Sequence, residues 1–241
     1  MRRLRAWSVP KRFDAPSENE DAFAVNAEAT CFAVCDGATE SFASGRWARG
    51  LATSFVGHPP LDDALLAGAR HDYERSFDQR KWPPYRRNAY RRGSYAAFAG
   101  LMIWPRERLY AVQAIGDSIC VLADGPDVVS SFPLADPHQF NRHPVLLSTN
   151  DHANVVDGLH LLRGASVWSL GRYGFHRRAA FYLMTDALGA WFLADPAAAI
   201  GRLQAIETEA TFAALVTEQR AAGRLHRDDT TVMIVDVGSW R

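Results

Sequence analysis

The sequence predicts an α+β fold, a mainly antiparallel sheet packed with helices. Short runs of apolar, β-branched and aromatic residues recur along the chain, the composition of strands buried in a sheet. These runs are grouped: strands first, then two helical segments, a meander of strands, further helices and one last strand. A doubly wound parallel sheet alternates strands and helices strictly, so the grouping speaks against it. With 241 residues, 48% of them hydrophobic, the chain suffices for one large core, and a single domain over residues 1–241 is expected.

In order, Ala22 to Val25 and Thr30 to Cys35 are the first two strands. Phe42 to Val56 and Leu61 to Lys81 have helical spacing, the second opening after Pro59-Pro60 and carrying Leu65, Leu66, Ala69, Tyr73 and Phe77. Their stripes are read as core, with Trp47 and Trp82, which flank charged residues, as candidates for a substrate surface. Tyr95 to Trp104, Leu109 to Ile115 and Ser118 to Ala123 form a strand meander. Residues 133–178, rich in Pro, His, Asn and Gly, are expected to be loops with short strands at Val145 to Ser148 and Leu159 to Trp168. Ala179 to Thr185 returns to strand, Leu188 to Ala194 and Glu207 to Ala222 to helix, Gly223 stops the last helix, and Thr231 to Val237 is the final strand.

Charge is balanced at 27 against 27, so bulk nucleic-acid binding is not expected. The run Tyr85 to Arg92 is basic and aromatic; it reads first as a solvated loop face and alternatively as a site for phosphate groups. Pro10-Lys11-Arg12 arrives before a signal-peptide core can develop, and no window approaches the roughly 18 apolar residues of a membrane span. Cys31, Cys35 and Cys120 are odd in number and lie in apolar runs, which suits free thiols. A cytoplasmic location without membrane insertion follows as the expectation.

Acids stand at the ends of the most apolar strands, where a buried carboxylate is costly unless a cation compensates it. Glu20-Asp21 precedes one strand and Asp36 follows the next, so an antiparallel hairpin brings the three together. Asp186 follows Phe181 to Thr185, and Asp228-Asp229 precedes Thr231 to Val235. If the two pairs meet, several carboxylates converge, and hard oxygen ligands at that density call for Mg²⁺ or Mn²⁺. Taken singly, each Asp is also a common turn or cap residue.

Glu18-Asn19-Glu20-Asp21-Ala22-Phe23, Asp36-Gly37, Gly116-Asp117-Ser118, Thr185-Asp186 and Asp228-Asp229-Thr230-Thr231 occur in an order that resembles the metal-dependent Ser/Thr protein phosphatases of type 2C, in a divergent bacterial form. The resemblance spans nearly the whole chain. It implies a four-layer α-β-β-α sandwich of two antiparallel sheets flanked by helices, with two Mn²⁺ or Mg²⁺ ions at one end. Asp36 would bridge both ions, the Gly37 carbonyl would help bind one, Asp186 and Asp228 would bind the other, and Glu20 and Asp21 would contribute largely through water. Asp117 matches the position of a weaker third metal, or is simply a turn residue. The implied activity is hydrolysis of phosphoserine or phosphothreonine in proteins by a metal-activated water, with a phosphorylated protein, such as a Ser/Thr kinase system provides, as the partner.

The chain departs from that pattern in several places. Ala38-Thr39-Glu40-Ser41 replaces a glycine-rich turn, Ala187 a glycine, Ala190 an acid and Asp229 an asparagine whose loss adds negative charge. The usual phosphate-gripping Arg is missing at Ala15-Pro16-Ser17-Glu18, leaving Lys11 or Arg12 to bind phosphate. His226 is either a substitute proton donor or a solvated loop histidine. Residues 132–148 do not resemble the family's flap. A catalytically silent phosphoprotein-binding relative and a small-phosphoester hydrolase are therefore alternatives.

Overall fold

The apolar runs are continuous, with no polar alternation, because the central strands are covered on both faces. A computed structural model describes residues 3–156, 159–163, 168–173 and 178–237. In chain order its elements are β1 (Arg3–Val9), β2 (Ala22–Val25), β3 (Cys31–Gly37), α1 (Ser44–Gly57), α2 (Asp63–Arg75), α3 (Pro84–Arg92), β4 (Tyr95–Trp104), β5 (Leu109–Ile115), β6 (Ile119–Asp124) and β7 (Asp127–Phe132). There follow β8 (Leu147–Ser148), β9 (Val155–Val156), β10 (Leu159–His160), β11 (Trp168–Arg172), β12 (Ala179–Met184), α4 (Asp186–Ala194), α5 (Pro196–Gln204), α6 (Glu209–Ala221) and β13 (Thr230–Asp236). One sheet has the order β1-β13-β12-β6-β7, the other β11-β5-β4-β3-β2 with β8 beside β4, and β9 pairs β10 apart from both. Neighbouring strands in both sheets are antiparallel.

Three apolar layers make this the four-layer α-β-β-α sandwich. Between the sheets lie Phe32, Val34, Leu101, Val112, Leu122, Phe181, Leu183 and Met233. The other faces of the same strands turn to the helices, Ala33, Cys35 and Phe98 toward α1 and α2, and Tyr182, Met184, Val232 and Ile234 toward α4, α5 and α6. Each fully buried large side chain removes enough apolar surface to stabilise the fold by about 1.5–3 kcal/mol. Trp47, Leu51 and Phe55 recur at four-residue spacing on α1 and are all fully buried. Phe55 lies on Gly100 of β4, where an added Cβ would come within 2.5 Å of its ring.

The predicted fold class stands, while several element assignments change. β1 escaped the sequence reading because Arg3 and Arg5 interrupt its pattern; it pairs with β13, and the Arg5 guanidinium is buried, donating to the Gln204 and Ile206 carbonyls at 3.0 and 3.1 Å. The helix expected over Leu61 to Lys81 is capped by Asp62, whose side chain accepts from the Leu65 N–H at 2.8 Å, and ends at Arg75. The basic run 85–92 is no loop: Pro84 starts α3 at a position where its missing N–H is harmless, and Gly93, at φ 92°, ends it. α5, opened by an Asp195 cap on the Ala198 N–H, and β7 were not anticipated. The strand expected from Leu159 to Trp168 is divided, β10 giving way to a 3-10 turn at Leu161–Arg163 and β11 beginning at Trp168, with residues 164–167 outside the described ones.

Of the two tryptophans proposed for a substrate surface, Trp47 is not free for one and Trp82 is half-buried. Trp47 is fully buried and donates from Nε1 to the Leu147 carbonyl at 3.0 Å. Trp82 packs against Phe42, Phe77 and Tyr90, with the Arg86 guanidinium 4.5 Å from its ring centroid. Among the described residues no helix is long and apolar enough to cross a membrane.

One buried polar side chain fastens the loop before α2 to the sheet. Gln113 of β5 is fully buried, donates from Nε2 to the Leu61 carbonyl at 2.6 Å and accepts the Leu61 N–H at 2.9 Å. Gln113→Leu strands both backbone groups of a buried residue. Chemical denaturation should show a loss of about 2–6 kcal/mol, from about 1–3 kcal/mol per unsatisfied group.

Candidate active site

Strand register decides which acids meet. Ala22 pairs with Cys35, so Asp21, just before β2, is a neighbour of Asp36 on β3. In the other sheet Met184 pairs with both Val232 and Ile119, which brings the end of β12, the start of β13 and the start of β6 to the same edge. Asp186 there begins α4, and Asp228 lies just before β13. Asp117 sits in the turn between β5 of one sheet and β6 of the other. That turn is made by Gly116 at φ 91°, where a Cβ would come within 2.8 Å of Ala97.

Asp36, Gly37, Thr39, Asp117, Asp186 and Asp228 are among the residues lining a cavity of about 150 Å³. No lysine, arginine or histidine is among its described lining residues. Burial, then the charges of Asp21, Asp186, Asp117 and Asp228, push the Asp36 carboxyl well above the usual range. Burial and Asp228 raise Asp186; burial, Asp186 and Asp228 carry Asp117 up to about 7. Asp21, 6% exposed, is raised chiefly by burial and by Asp229 and Asp186. Its Oδ2 accepts from the Thr185 hydroxyl at 3.0 Å, and its Oδ1 is buried with no partner.

A concave cluster of hard oxygen donors, one of them orphaned, fits divalent cations of the Mg²⁺ or Mn²⁺ type. Among the described residues no three His, Cys, Asp or Glu side chains already form a coordination sphere; the acids stand around the cavity and are not closed on one point.

Other candidates lie beside the cavity. Glu20 is committed to the Ser44 hydroxyl and to Lys11 Nζ, the latter at 3.2 Å. Lys11 also donates to Thr39 Oγ1 at 2.9 Å, which places its ammonium at the cavity rim. Burial alone would lower the Lys11 pKa, but Glu20, Asp229 and Asp228 together outweigh it and the value is raised. Arg12 faces away, paired with Asp14 at 3.2 Å and Glu18 at 3.6 Å. His226 is exposed and lines a neighbouring groove, not the cavity.

The charge of Asp229, expected to burden the site, is absorbed by the backbone. Asp229 is 3% exposed, its Oδ1 accepts the Lys11 N–H at 2.7 Å and its Oδ2 the Glu20 N–H at 2.8 Å. It pins the segment carrying Lys11, Glu20 and Asp21 to the loop carrying Asp228. Two glycines allow the same segment its close approach: a Cβ on Gly37 would lie 2.9 Å from the Glu20 carbonyl oxygen, and one on Gly45 2.9 Å from Glu20 Cα. Sequence reasoning missed Gly45 and Ser44, and named Thr185 in a motif without its bond to Asp21. Only the Gly in Ser44-Gly45, at the head of a helix, hinted at such a contact.

No protein-family model and no curated protein matches the sequence. Solved structures do resemble this one over nearly its full length. The Mycobacterium tuberculosis serine/threonine phosphatase PstP/Ppp has 15% identity and a TM-score of 0.64, covering 98% of each chain. The photosystem II phosphatase PBCP has 15% identity and a TM-score of 0.62, also covering 98% of each. The chain has their fold. The catalytic domain of PstP in complex with 2 manganese ions is similar too, at 16% identity and a TM-score of 0.60, over 98% of this chain and 97% of that one. Identities this low carry the architecture and leave the chemistry to the residues at the sheet edge.

The geometry gives two expectations for the metal-free protein. Asp229→Ala strands the N–H groups of Lys11 and Glu20, so urea denaturation should show a loss of about 2–4 kcal/mol. Acidification acts in the opposite sense. Asp117 titrates near 7 in the fold and near 3.9 when unfolded. The folded state therefore binds the proton more tightly, and its advantage is present at low pH and lost as pH rises through 7. Thermal melts should show a higher Tm at pH 5.5 than at pH 8, with the difference reduced in Asp117→Asn. Each kcal/mol relieved is worth roughly 2–4 °C.

Proposed function

We propose that this chain is a metal-dependent protein phosphatase that hydrolyses phosphoserine and phosphothreonine monoesters, with Asp36, Asp186 and Asp228 as the principal ligands of two Mn²⁺ or Mg²⁺ ions. The observation that carries this is the cavity at the sheet edge: four aspartates line it, a fifth with an orphaned oxygen stands close behind, and no cationic side chain among its described lining residues balances them. The Gly37 carbonyl would add a ligand, Glu20 and Asp21 contacts through water, and Asp117 a hold on a weaker third ion. Bound there, the cations would neutralise the carboxylates and supply Lewis-acid stabilisation to a phosphoryl group.

The chain's own residues position the ester and supply no covalent nucleophile. Lys11, at the rim beside Thr39, offers an ammonium to a phosphoryl oxygen in place of the missing Arg. Glu20 holds that ammonium, and Asp229 holds the backbone of both. Cys31, Cys35 and Cys120 are all buried, and burial raises their thiols, Cys31 to about 12, so none is a ready thiolate. Direct attack by water at phosphorus is the route this supports. A phosphorylated protein is the partner it implies, and a cytoplasmic setting suits three free thiols.

The test is phosphate release from phosphoserine and phosphothreonine peptides with Mn²⁺, with Mg²⁺ and with chelator. Release should need the cation and fall about a hundredfold or more in Asp36→Ala and Asp186→Ala. Lys11→Ala should raise KM about tenfold, the scale of one charge-assisted contact. Metal binding without any turnover would replace this reading with a phosphoprotein-binding relative, and turnover of small esters alone would replace it with a small-phosphoester hydrolase.

A further inference from the structure

A second, larger concavity opens beside the carboxylate cavity. It has a volume of about 870 Å³ and lies between α4, the end of α6 and the loop before β13. Its basic lining is Lys11, Arg220, Arg224, His226 and Arg227, and no carboxylate is among the described residues that line it. In a chain whose formal charge is zero, that is a strong local bias. Trp191, Ala187 and Leu225 provide an apolar floor, and Phe13, 53% exposed, forms a wall.

Arg220 and Arg227 are held by neutral acceptors, whereas Lys11 is paired with Glu20 at 3.2 Å and Arg224 is only loosely shared with a carboxylate. Arg220 donates to the Pro10 carbonyl at 3.1 Å, the Asp228 carbonyl and Thr230 Oγ1 at 3.0 Å. Arg227 donates to the Lys11 carbonyl at 3.4 Å. Arg224 donates to Gln219 Oε1 at 2.7 Å and shares Glu218, at 3.7 Å, with Arg202, at 3.0 Å. The groove is also continuous with the site. Ala187 and Arg227 line it while their chain neighbours Asp186 and Asp228 line the cavity, and Lys11 lines it while bonding Thr39 on the cavity wall.

We infer that this groove selects phosphoprotein segments that carry Asp or Glu beside the phosphorylated residue, with Arg224 and Arg227 as specificity-determining side chains. The inference rests on the phosphatase reading for its place in catalysis, but the binding itself does not require turnover. A chain laid from the cavity into the groove meets apolar floor under its aliphatic carbons and guanidinium groups at its edges. Acidic flanks are therefore favoured over neutral ones, and basic flanks are rejected. The preference weakens as salt screens the exposed cations.

Fluorescence anisotropy with a labelled, unphosphorylated peptide bearing four glutamates, and with its glutamine analogue, tests this on the full chain in parallel with turnover of p-nitrophenyl phosphate in Mn²⁺. The acidic peptide should bind about tenfold more tightly than the neutral one at low salt, a difference that disappears in R224E/R227E and largely survives in R224K/R227K. Because R224K/R227K keeps the positive charge beside Asp228 and Glu218, p-nitrophenyl phosphate turnover should be unchanged in that variant. Equal affinity for the two peptides, or a preference untouched by charge reversal, overturns the groove assignment. Absent turnover with the charge-dependent binding intact overturns the hydrolase and leaves the groove.

Discussion

The whole of one end of this molecule is governed by like charges that the fold forces together. Asp21, Asp36, Asp117 and Asp186 are each held where burial and the other acids favour the proton. Such a cluster opposes folding unless protons or cations occupy it. The rest of the sandwich must supply the stability that the cluster withholds, and the three apolar layers are the source. A working end built on strain and an inert body built on packing is the division expected where function conflicts with local stability.

Not every acid at this end belongs to the conflict. Asp229 lies next to Asp228 in sequence, yet its oxygens are taken by two backbone N–H groups. Glu20 lies next to Asp21, yet its carboxylate is divided between Ser44 and Lys11. Asp228 lines the cavity while Asp229 braces the chain that borders it, and Asp21 is buried behind the cavity while Glu20 braces its rim. Sequence proximity therefore exaggerates how much negative charge a phosphate would meet.

The sequence made the sheets and the clustering of acids legible, because both depend on long apolar runs and on where those runs stop. Residues 22–25, 31–36, 95–104, 109–115 and 179–184 needed no tertiary information. β1 did, since its Arg5 is satisfied by carbonyls of the α5 region and by Asp236, 199 and more residues away. α3 did also, because its short sequence is dominated by arginines and its Tyr90 is used against α2 and Phe42. At the site, the aspartates were visible while Ser44, Gly45 and the contact of Thr185 with Asp21 were not. Their parts depend on close contacts between segments that lie far apart in the chain, and small residues advertise such contacts weakly.

The turn that carries Asp117 is the direct link from β5 of one sheet to β6 of the other. Acids on both sides of it belong to different sheets, Asp36 to one and Asp186 and Asp228 to the margin of the other. The spacing of the cluster is thus a gauge of how the two sheets sit on each other. Any slippage along the apolar seam would be read out as a change in the distance between charges. Conversely, whatever occupies the cavity acts as a rivet through both layers at their shared rim.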